Sequence, residues 1–447
     1  MKLCGILLGC SLAAMAAGNE VILIRDADVY PVSGKEMKGM SLLIQDGKIA
    51  DIAAKIVPPK GARIVEGKGM RIYPGIIDSG TELGLSEIEA VRVTVDTGEL
   101  GEFMPQLKAL SAVNPDSEHF GVVRVNGITS AMTFPSGGRG GGGGGRFGGG
   151  ERQLIAGQAA LIHTDGWTWE EMEIKRSAAM SVMFPALGGG GGRRGGGGAP
   201  DAIDLTPGGV GGTPANARRA FDEEVAKLND FFDNARRYQK AKVAKAPGFE
   251  TDLRFEAMLP VLDRKVPVAV SAARANTIHE AIVWAKHQNV KLVILQPREI
   301  GKAGAELKAE DVPVILGRVL ALPDAEDASY DEAFTLPAEA YKAGVKFAFG
   351  TFTNEFVRNI PYQAATAVAF GLPNDEALKA ITLNPAQIWG VSDQLGTVEK
   401  GKFADLIVTD GDPLEIQTQI KHLYVKGKEI ALTNKQTRLN ERYMNRN

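Results

Sequence analysis

The chain has 447 residues, 44% of them hydrophobic, which is enough for one large domain together with a smaller one. Its 51 basic and 54 acidic residues give a net charge of -3, so the charge gives no reason to expect nucleic acid or an anionic membrane as partner. Both cysteines, Cys4 and Cys10, stand near the N-terminus, which excludes cysteine-bound zinc and structural disulfides in the rest of the chain.

Residues 1–18 have the pattern of a secretory signal peptide. A lysine precedes an apolar run over 3–17, and Ala14-Met15-Ala16 resembles a cleavage site. Leu7-Leu8-Gly9-Cys10 also resembles a bacterial lipoprotein box, which would give a lipid anchor through Cys10. Plain cleavage is favoured, because few residues precede that cysteine. No later run is apolar enough to span a bilayer, so we expect a secreted or periplasmic protein without a transmembrane span.

Short strands rich in β-branched residues stand near both ends of the chain. They cover 21–24, 41–44, 49–52 and 62–66 at one end, and 403–408 and 422–429 at the other. We expect the first group to form a small antiparallel sheet. Both groups together predict one composite β domain, built from residues 19–73 and 395–434, with residues 435–447 as a tail.

Strand and helix patterns alternate between these two groups, and such alternation predicts a parallel sheet. Strands are predicted at 267–272, 290–296, 312–316 and 345–349, and a strand-like piece over 122–131 with Asn126-Gly127 as its turn. Helices are predicted over 217–246, 277–287 and 374–383, the last capped by Asn374. Trp167 and Trp169 alternate as on a strand face and are predicted to be packing residues.

Two tracts composed almost wholly of glycine, 137–150 and 188–198, interrupt this pattern. Such tracts cannot bury apolar surface, so they predict flexible surface loops. A phosphate-binding loop is the alternative, but neither tract contains the Gly-x-x-x-x-Gly-Lys-Ser/Thr pattern that such a loop requires.

The segment 73–83 carries a recognisable motif. Its Pro74, Gly75 and Asp78 fit the pattern Pro-Gly-x-x-Asp-x-His-x-His, which follows the first barrel strand in the amidohydrolase superfamily. Segments 382–386 and 395–406 are similar to the C-terminal signature of the same superfamily. Over roughly 21–427 the chain resembles an extracytoplasmic branch related to imidazolonepropionases.

This resemblance implies a (β/α)₈ TIM barrel over residues 74–394, in addition to the composite β-sandwich domain. It also implies a hydrolase of C–N bonds other than peptide bonds. In that family a divalent metal, usually zinc, activates water and is held by four histidines and an aspartate at the ends of barrel strands.

The five positions that correspond to those metal ligands carry other residues here. They are occupied by Gly80, Glu82, Ser271, Gln296 and Phe352. Hydroxyl and carboxamide groups are poor zinc ligands, and a phenyl ring is none. We therefore predict that the metal centre is absent and that no cofactor is bound, and that these residues line a pocket together with Asp78 and Thr351.

Other catalytic arrangements have weaker support. The five histidines, at 119, 163, 279, 287 and 422, show no His-x-His spacing and are predicted to be structural. Ser271 has no base next to it in the sequence and no nucleophile-elbow motif. Asp78 and Glu82 would form a carboxylate pair, but Asp78 is better explained as a backbone hydrogen-bond acceptor and Glu82 as a solvated residue.

Three functions remain open. The favoured one is a metal-less, non-catalytic subunit or pseudoenzyme that forms a homo- or hetero-oligomer with a metal-bearing amidohydrolase relative. The second is an active amidohydrolase on cyclic amides or small peptides, with a reshaped site. The third is a periplasmic small-molecule binding protein. The sequence does not identify the substrate or ligand in any of these cases.

Overall fold

The computed structural model of the protein describes residues 20–136, 153–187, 214–323 and 328–446. The predicted signal peptide and both glycine tracts lie outside these residues. Within the described ranges the chain forms sixteen strands in two sheets and twelve α-helices. None of the described helices is both long and apolar enough to cross a membrane.

The strands, in chain order, are β1 (Ile22–Val29), β2 (Met37–Gln45), β3 (Lys48–Ala53), β4 (Arg63–Glu66), β5 (Arg71–Pro74), β6 (Ile76–Thr81), β7 (Ile128–Thr133), β8 (Ile155–His163), β9 (Glu173–Val182), β10 (Val268–Ser271), β11 (Leu292–Leu295), β12 (Val314–Leu316), β13 (Phe347–Phe349), β14 (Leu406–Thr409), β15 (Ile420–Val425) and β16 (Lys428–Ile430).

The helices are α1 (Ala109–Ala112), α2 (Glu118–Val125), α3 (Trp169–Met172), α4 (Pro214–Val243), α5 (Leu253–Leu262), α6 (Ala275–His287), α7 (Ile300–Ala309), α8 (Glu332–Lys342), α9 (Ile360–Ala369), α10 (Asn374–Ala380), α11 (Leu383–Ile388) and α12 (Lys435–Met444).

The outer sheet contains β1 to β5 and β14 to β16, so it is built from both ends of the chain, as predicted. Its two parts join where β14 pairs antiparallel with β5, with Ile407 opposite Tyr73. One expectation is wrong, because β1 pairs in parallel with β4 and β5. Residues 54–62 carry the chain from β3 back to β1, and this crossover brings β4 alongside β1 in the same direction.

The second sheet runs in the order β13-β12-β11-β10-β9-β8-β7-β6 and curls into a nearly closed barrel. It closes where the Phe352 N–H donates to the Gly80 carbonyl, at an N···O distance of 2.7 Å. The predicted TIM-like barrel is therefore confirmed. One strand differs from the parallel pattern, because β8 pairs antiparallel with both β7 and β9.

Apolar side chains fill the inside of the barrel, among them Ile77, Leu161, Leu295 and Ile315. The outside of the barrel packs against the helices. The long helix α4, which was predicted over 217–246, buries Phe221, Leu228 and Phe232 in the core, where Phe232 packs edge-to-face against Trp284 of α6.

Three local predictions are wrong. Residues 122–125 belong to α2, which is capped by Ser117, and the strand that was placed there begins only at Ile128. Asn374 is the first residue of α10 and not its cap, which is Pro373. Trp169 starts helix α3 because the Thr168 side chain accepts the Glu171 N–H, and Trp167 is 85% exposed, so it is not a packing residue.

Candidate functional site

The barrel mouth is the end of the barrel formed by the carboxyl ends of β6, β10, β11 and β13. These strands run in the same direction, so the residues that follow them meet at one end. The structure brings all the predicted site residues to this end: Asp78, Gly80 and Glu82 on or after β6, Ser271 at the end of β10, Gln296 after β11, and Thr351 and Phe352 after β13.

Asp78 joins the first and last barrel strands. Its side chain is fully buried, and its Oδ1 accepts the backbone N–H groups of Gly80 at 3.0 Å and Thr351 at 3.2 Å. The Thr351 hydroxyl donates to Oδ2 at 2.5 Å. Burial raises the pKa of Asp78 to about 7, although these hydrogen bonds favour the ionised form. Asp78 therefore holds the segment after β13 against β6.

Glu82 is the second buried carboxyl group at the mouth. Only 8% of the residue is exposed, and Oε1 accepts a hydrogen bond from the Ser136 hydroxyl at 2.5 Å. Burial raises the pKa of Glu82 to about 7, against the opposing effect of Ser136, and the nearby charge of Glu89 raises it further. The expectation that Glu82 is solvated is therefore wrong.

Phe352 lies directly against Gly80. The phenylalanine is fully buried and adopts a left-handed backbone conformation with φ of 51°. A Cβ atom on Gly80 would lie 2.8 Å from Cε1 and 2.9 Å from Cζ of the phenyl ring, which is closer than real side chains approach. Because the ring fills this space, a histidine cannot stand at position 80 unless the ring of Phe352 moves.

Ser271 and Gln296 offer only neutral polar groups. Ser271 is 2% exposed, and its hydroxyl has no hydrogen-bond partner in the described part of the chain. Gln296 is half-buried and adopts a left-handed conformation with φ of 54°. A left-handed conformation is uncommon for residues other than glycine, and it often marks a position shaped by function.

The mouth residues do not fit the zinc site that the fold family implies. Glu82 is the only one of the five ligand positions with an anionic side chain, and its Oε1 is already bonded to Ser136. Among the residues that the structure describes, no group of three or more His, Cys, Asp or Glu side chains is arranged to hold a metal ion. This donor set has one carboxylate and no imidazole, whereas zinc sites are built from several imidazole, thiolate or carboxylate ligands.

The histidines belong to other parts of the molecule: they lie on α2, at the end of β8, twice on α6, and on β15. His163 is fully buried at the opposite end of the barrel, where its Nδ1 lies 3.0 Å from Oδ2 of Asp405. His279 and His422 pair with glutamates on the outside of the fold.

Sequence reasoning missed two residues that complete the mouth. Ser136 bonds Glu82, but it stands just before a glycine tract, where no pattern marks it. Asn354 is 1% exposed and donates from Nδ2 to the Ser86 carbonyl at 2.7 Å, which joins the segments that follow β13 and β6. The Asn354 side chain lies three residues beyond Thr351, and only the closure of the barrel brings it to Ser86.

The amidohydrolase family model matches residues 191–432, which is more than half of the chain. Amidohydrolase tasK of Hapsidospora irregularis is 24% identical over 92% of this chain, which spans only 43% of that relative's length. An imidazolonepropionase of Mesorhizobium japonicum is 30% identical over 32% of this chain and 35% of its own.

Among solved structures, an amidohydrolase from Thermotoga maritima has a TM-score of 0.74 and 26% identity, covering 92% of this chain and 99% of its own. Phenylurea hydrolase B has a TM-score of 0.52 and 15% identity over 92% of this chain and 97% of its own, which is a likeness of fold alone. Because the family model matches more than half of the chain, the chain belongs to the amidohydrolase family.

Proposed function

We propose that this protein is a non-catalytic member of the amidohydrolase family, and that it acts as a subunit beside a relative that carries the metal centre. The observation that carries the proposal is the contact between Phe352 and Gly80. There the phenyl ring fills the space that a side chain at one metal-ligand position would need.

The chemistry of the mouth supports this proposal. Metal-assisted hydrolysis requires an ion that lowers the pKa of a bound water and polarises the carbonyl group under attack. Ser271 and Gln296 offer a hydroxyl and a carboxamide, which are poor ligands for such an ion. Glu82 is the one anionic side chain among these positions, and its Oε1 already accepts a hydrogen bond from Ser136.

The preserved scaffold supports a role in an assembly. Asp78 holds the segment after β13 against β6 through two hydrogen bonds from Thr351. In Amidohydrolase tasK, the region equivalent to this chain takes up only 43% of the relative. In that relative, the equivalent region is thus joined to more than its own length of further polypeptide. The signal predicted over 1–18 would bring this chain to the periplasm.

Elemental analysis of the purified protein tests the first half of this proposal. We expect far less than one zinc ion per chain. We also expect that the protein shows no chelator-sensitive hydrolysis of cyclic amides or small peptides. Stoichiometric zinc, lost together with such activity on chelation, would favour the active hydrolase instead and overturn the proposal.

Affinity purification from native extracts tests the second half. We expect a relative that retains the histidines of the Pro-Gly-x-x-Asp-x-His-x-His motif to copurify with the tagged protein. Recovery of the tagged protein without such a relative would contradict the role as a subunit, whatever its metal content.

A small-molecule binding protein is the second candidate, and one observation favours it. The Ser271 hydroxyl is buried at the mouth without a hydrogen-bond partner in the described part of the chain. A buried hydroxyl without a partner lowers the stability of the fold, so a ligand that forms a hydrogen bond with it would be stabilising. A thermal-shift screen of amides, amino acids and nucleobases tests this candidate. A stabilising ligand whose effect disappears in Ser271→Ala would support it, whereas an empty screen would count against it.

A further inference from the structure

Residues 85–96, here called the finger, form a short hairpin that follows β6 at the barrel mouth. The Asp96 N–H donates to the Leu85 carbonyl at 2.7 Å, and the Glu87 N–H donates to the Thr94 carbonyl at 3.0 Å. The Thr94 hydroxyl accepts the Ile88 N–H at 3.1 Å and lies 2.8 Å from the Val91 carbonyl oxygen. These bonds give the tip of the finger a defined shape.

The finger presents large apolar side chains to solvent. Val93 is 92% exposed, Ile88 56% and Val91 40%. Single exposed aliphatic residues are ordinary, but three of them on one ordered tip suggest a contact surface. Three acidic residues, Glu87, Glu89 and Asp96, accompany them against a single arginine, so the finger is apolar at its tip and acidic around it.

Helix α12 has the opposite charge. All of its residues are exposed, among them Leu439, Tyr443 and Met444. Three basic side chains stand on this helix against one glutamate: Lys435, Arg438 and Arg442. This helix therefore combines apolar and basic groups, which is the surface that an acidic, apolar finger would fit.

The finger and α12 are attached to the same place, the first turn of α2. His119 Nε2 lies 3.1 Å from the Glu87 carbonyl oxygen of the finger. The adjacent Glu118 lies 3.8 Å from the Arg438 guanidinium of α12. The acidic and the basic surface therefore meet at the N-terminal end of α2 and lie next to each other on the molecule.

We propose that this face forms a two-fold symmetric dimer, in which the finger of each protomer packs against α12 of the other. A two-fold interface uses the same patch on both subunits, so its complementary parts must lie on one face on either side of the axis. The finger and α12 meet that requirement in position and in charge. The inference does not rest on the proposed function, because it involves no group of the mouth that would bind a metal or ligand.

Sedimentation velocity of the purified protein over a range of concentrations tests the proposal. We expect a particle of about twice the mass of one chain that dissociates more readily at high salt. Val93→Asp should raise the dimer dissociation constant by at least ~10-fold. Val57→Asp is the matched control, because Val57 is 83% exposed in the outer-sheet region and far along the chain from the finger, and it should leave the constant unchanged.

Charge reversal tests whether α12 is the surface that the finger contacts. Asp96→Arg and Arg442→Glu should each weaken the dimer, and the double variant should recover most of the lost affinity. Unchanged thermal unfolding midpoints would show that the variants are folded. A monomer at every concentration, or a dimer that Val93→Asp leaves intact, would overturn the proposal. Dimerisation unaffected by Arg442→Glu would overturn the assignment of α12.

Discussion

The two ends of the barrel bury polar groups in different ways. At the base, which is the end that faces the outer sheet, His163 Nδ1 lies 3.0 Å from Oδ2 of Asp405. Oδ1 of the same aspartate accepts the Lys426 N–H at 2.7 Å. At the mouth, the buried carboxyl groups of Asp78 and Glu82 instead accept hydrogen bonds from hydroxyl and backbone groups. The fully buried histidine of this chain therefore serves the joint between barrel and sheet.

This difference separates two roles that one barrel can combine. At the base, polar side chains connect two parts of the fold, and their loss should cost stability. At the mouth, the positions that are predicted to correspond to the family's metal ligands include an apolar ring and a carboxyl group that accepts a hydrogen bond from Ser136. Substituting these residues should show whether the mouth also contributes mainly to stability. The following predictions test this comparison, beginning with the largest expected effect.

Phe352→Ala should be the most costly substitution at the mouth. It removes a fully buried phenyl ring, and such a change costs about 4 kcal/mol of unfolding free energy through lost burial and the cavity that remains. Urea unfolding followed by circular dichroism measures this loss. A loss below ~1 kcal/mol would mean that the ring is not packed as described, and the mouth would then be open.

Asp405→Ala should cost about 3 kcal/mol, because it leaves the Lys426 N–H without its acceptor and removes the buried carboxylate that lies 3.0 Å from His163. Asp51→Ala is the control, since Asp51 pairs with Lys400 at 3.3 Å on the surface and should change stability by less than ~0.5 kcal/mol. Equal losses in the two variants would remove the distinction between the base and an ordinary surface ion pair.

Gly80→Ala should cost roughly 2 kcal/mol, because its methyl group would meet the Phe352 ring. In the double variant with Phe352→Ala the clash disappears, so the two losses should sum to more than the measured total. Strict additivity in this double-mutant cycle would show that Gly80 and Phe352 act independently.

The two buried carboxyl groups of the mouth should make the stability of the protein depend on pH. Burial raises the pKa of Asp78 and of Glu82 to about 7, so between pH 4 and 7 the folded protein holds protons that the unfolded chain has released. Stability therefore falls as pH rises through 7, by about 1 kcal/mol between pH 6 and 8 for each group.

Glu82→Gln should reduce this pH dependence, whereas Glu429→Gln should not, because interactions with His422 and Arg63 lower the pKa of Glu429 despite its partial burial. A stability that stays flat, or rises with pH over the same range in the wild-type protein, would contradict the burial of the two carboxyl groups.

Sequence reasoning succeeded where a local pattern decides the structure. The motif at Pro74-Gly75 located the start of the barrel, and the apolar spacing of α4 located a thirty-residue helix. The direction of β8 was not predictable, because an apolar run forms a buried strand equally well in either direction. For the same reason, the contacts of the residues that were predicted to line the mouth could not be predicted.

Contacts at the mouth depend on closure of the barrel. Gly80 and Phe352 are brought together only when the first and last strands meet, so their steric conflict has no local signature. The burial of Glu82 likewise depends on Ser136, which lies beyond another strand. Such long-range contacts follow from packing, and neither propensity nor spacing reports them.

The reversed direction of β8 has a consequence for how the protein folds. Its pairing with β9 needs only the short connection over residues 164–172, whereas the hydrogen bond between Asp78 and Thr351 joins residues 273 positions apart. Because closing a long loop costs more chain entropy than closing a short one, we expect the β8–β9 hairpin to form early and the seam between β6 and β13 to form late. Amide protons at that seam should then gain protection from hydrogen exchange last during refolding.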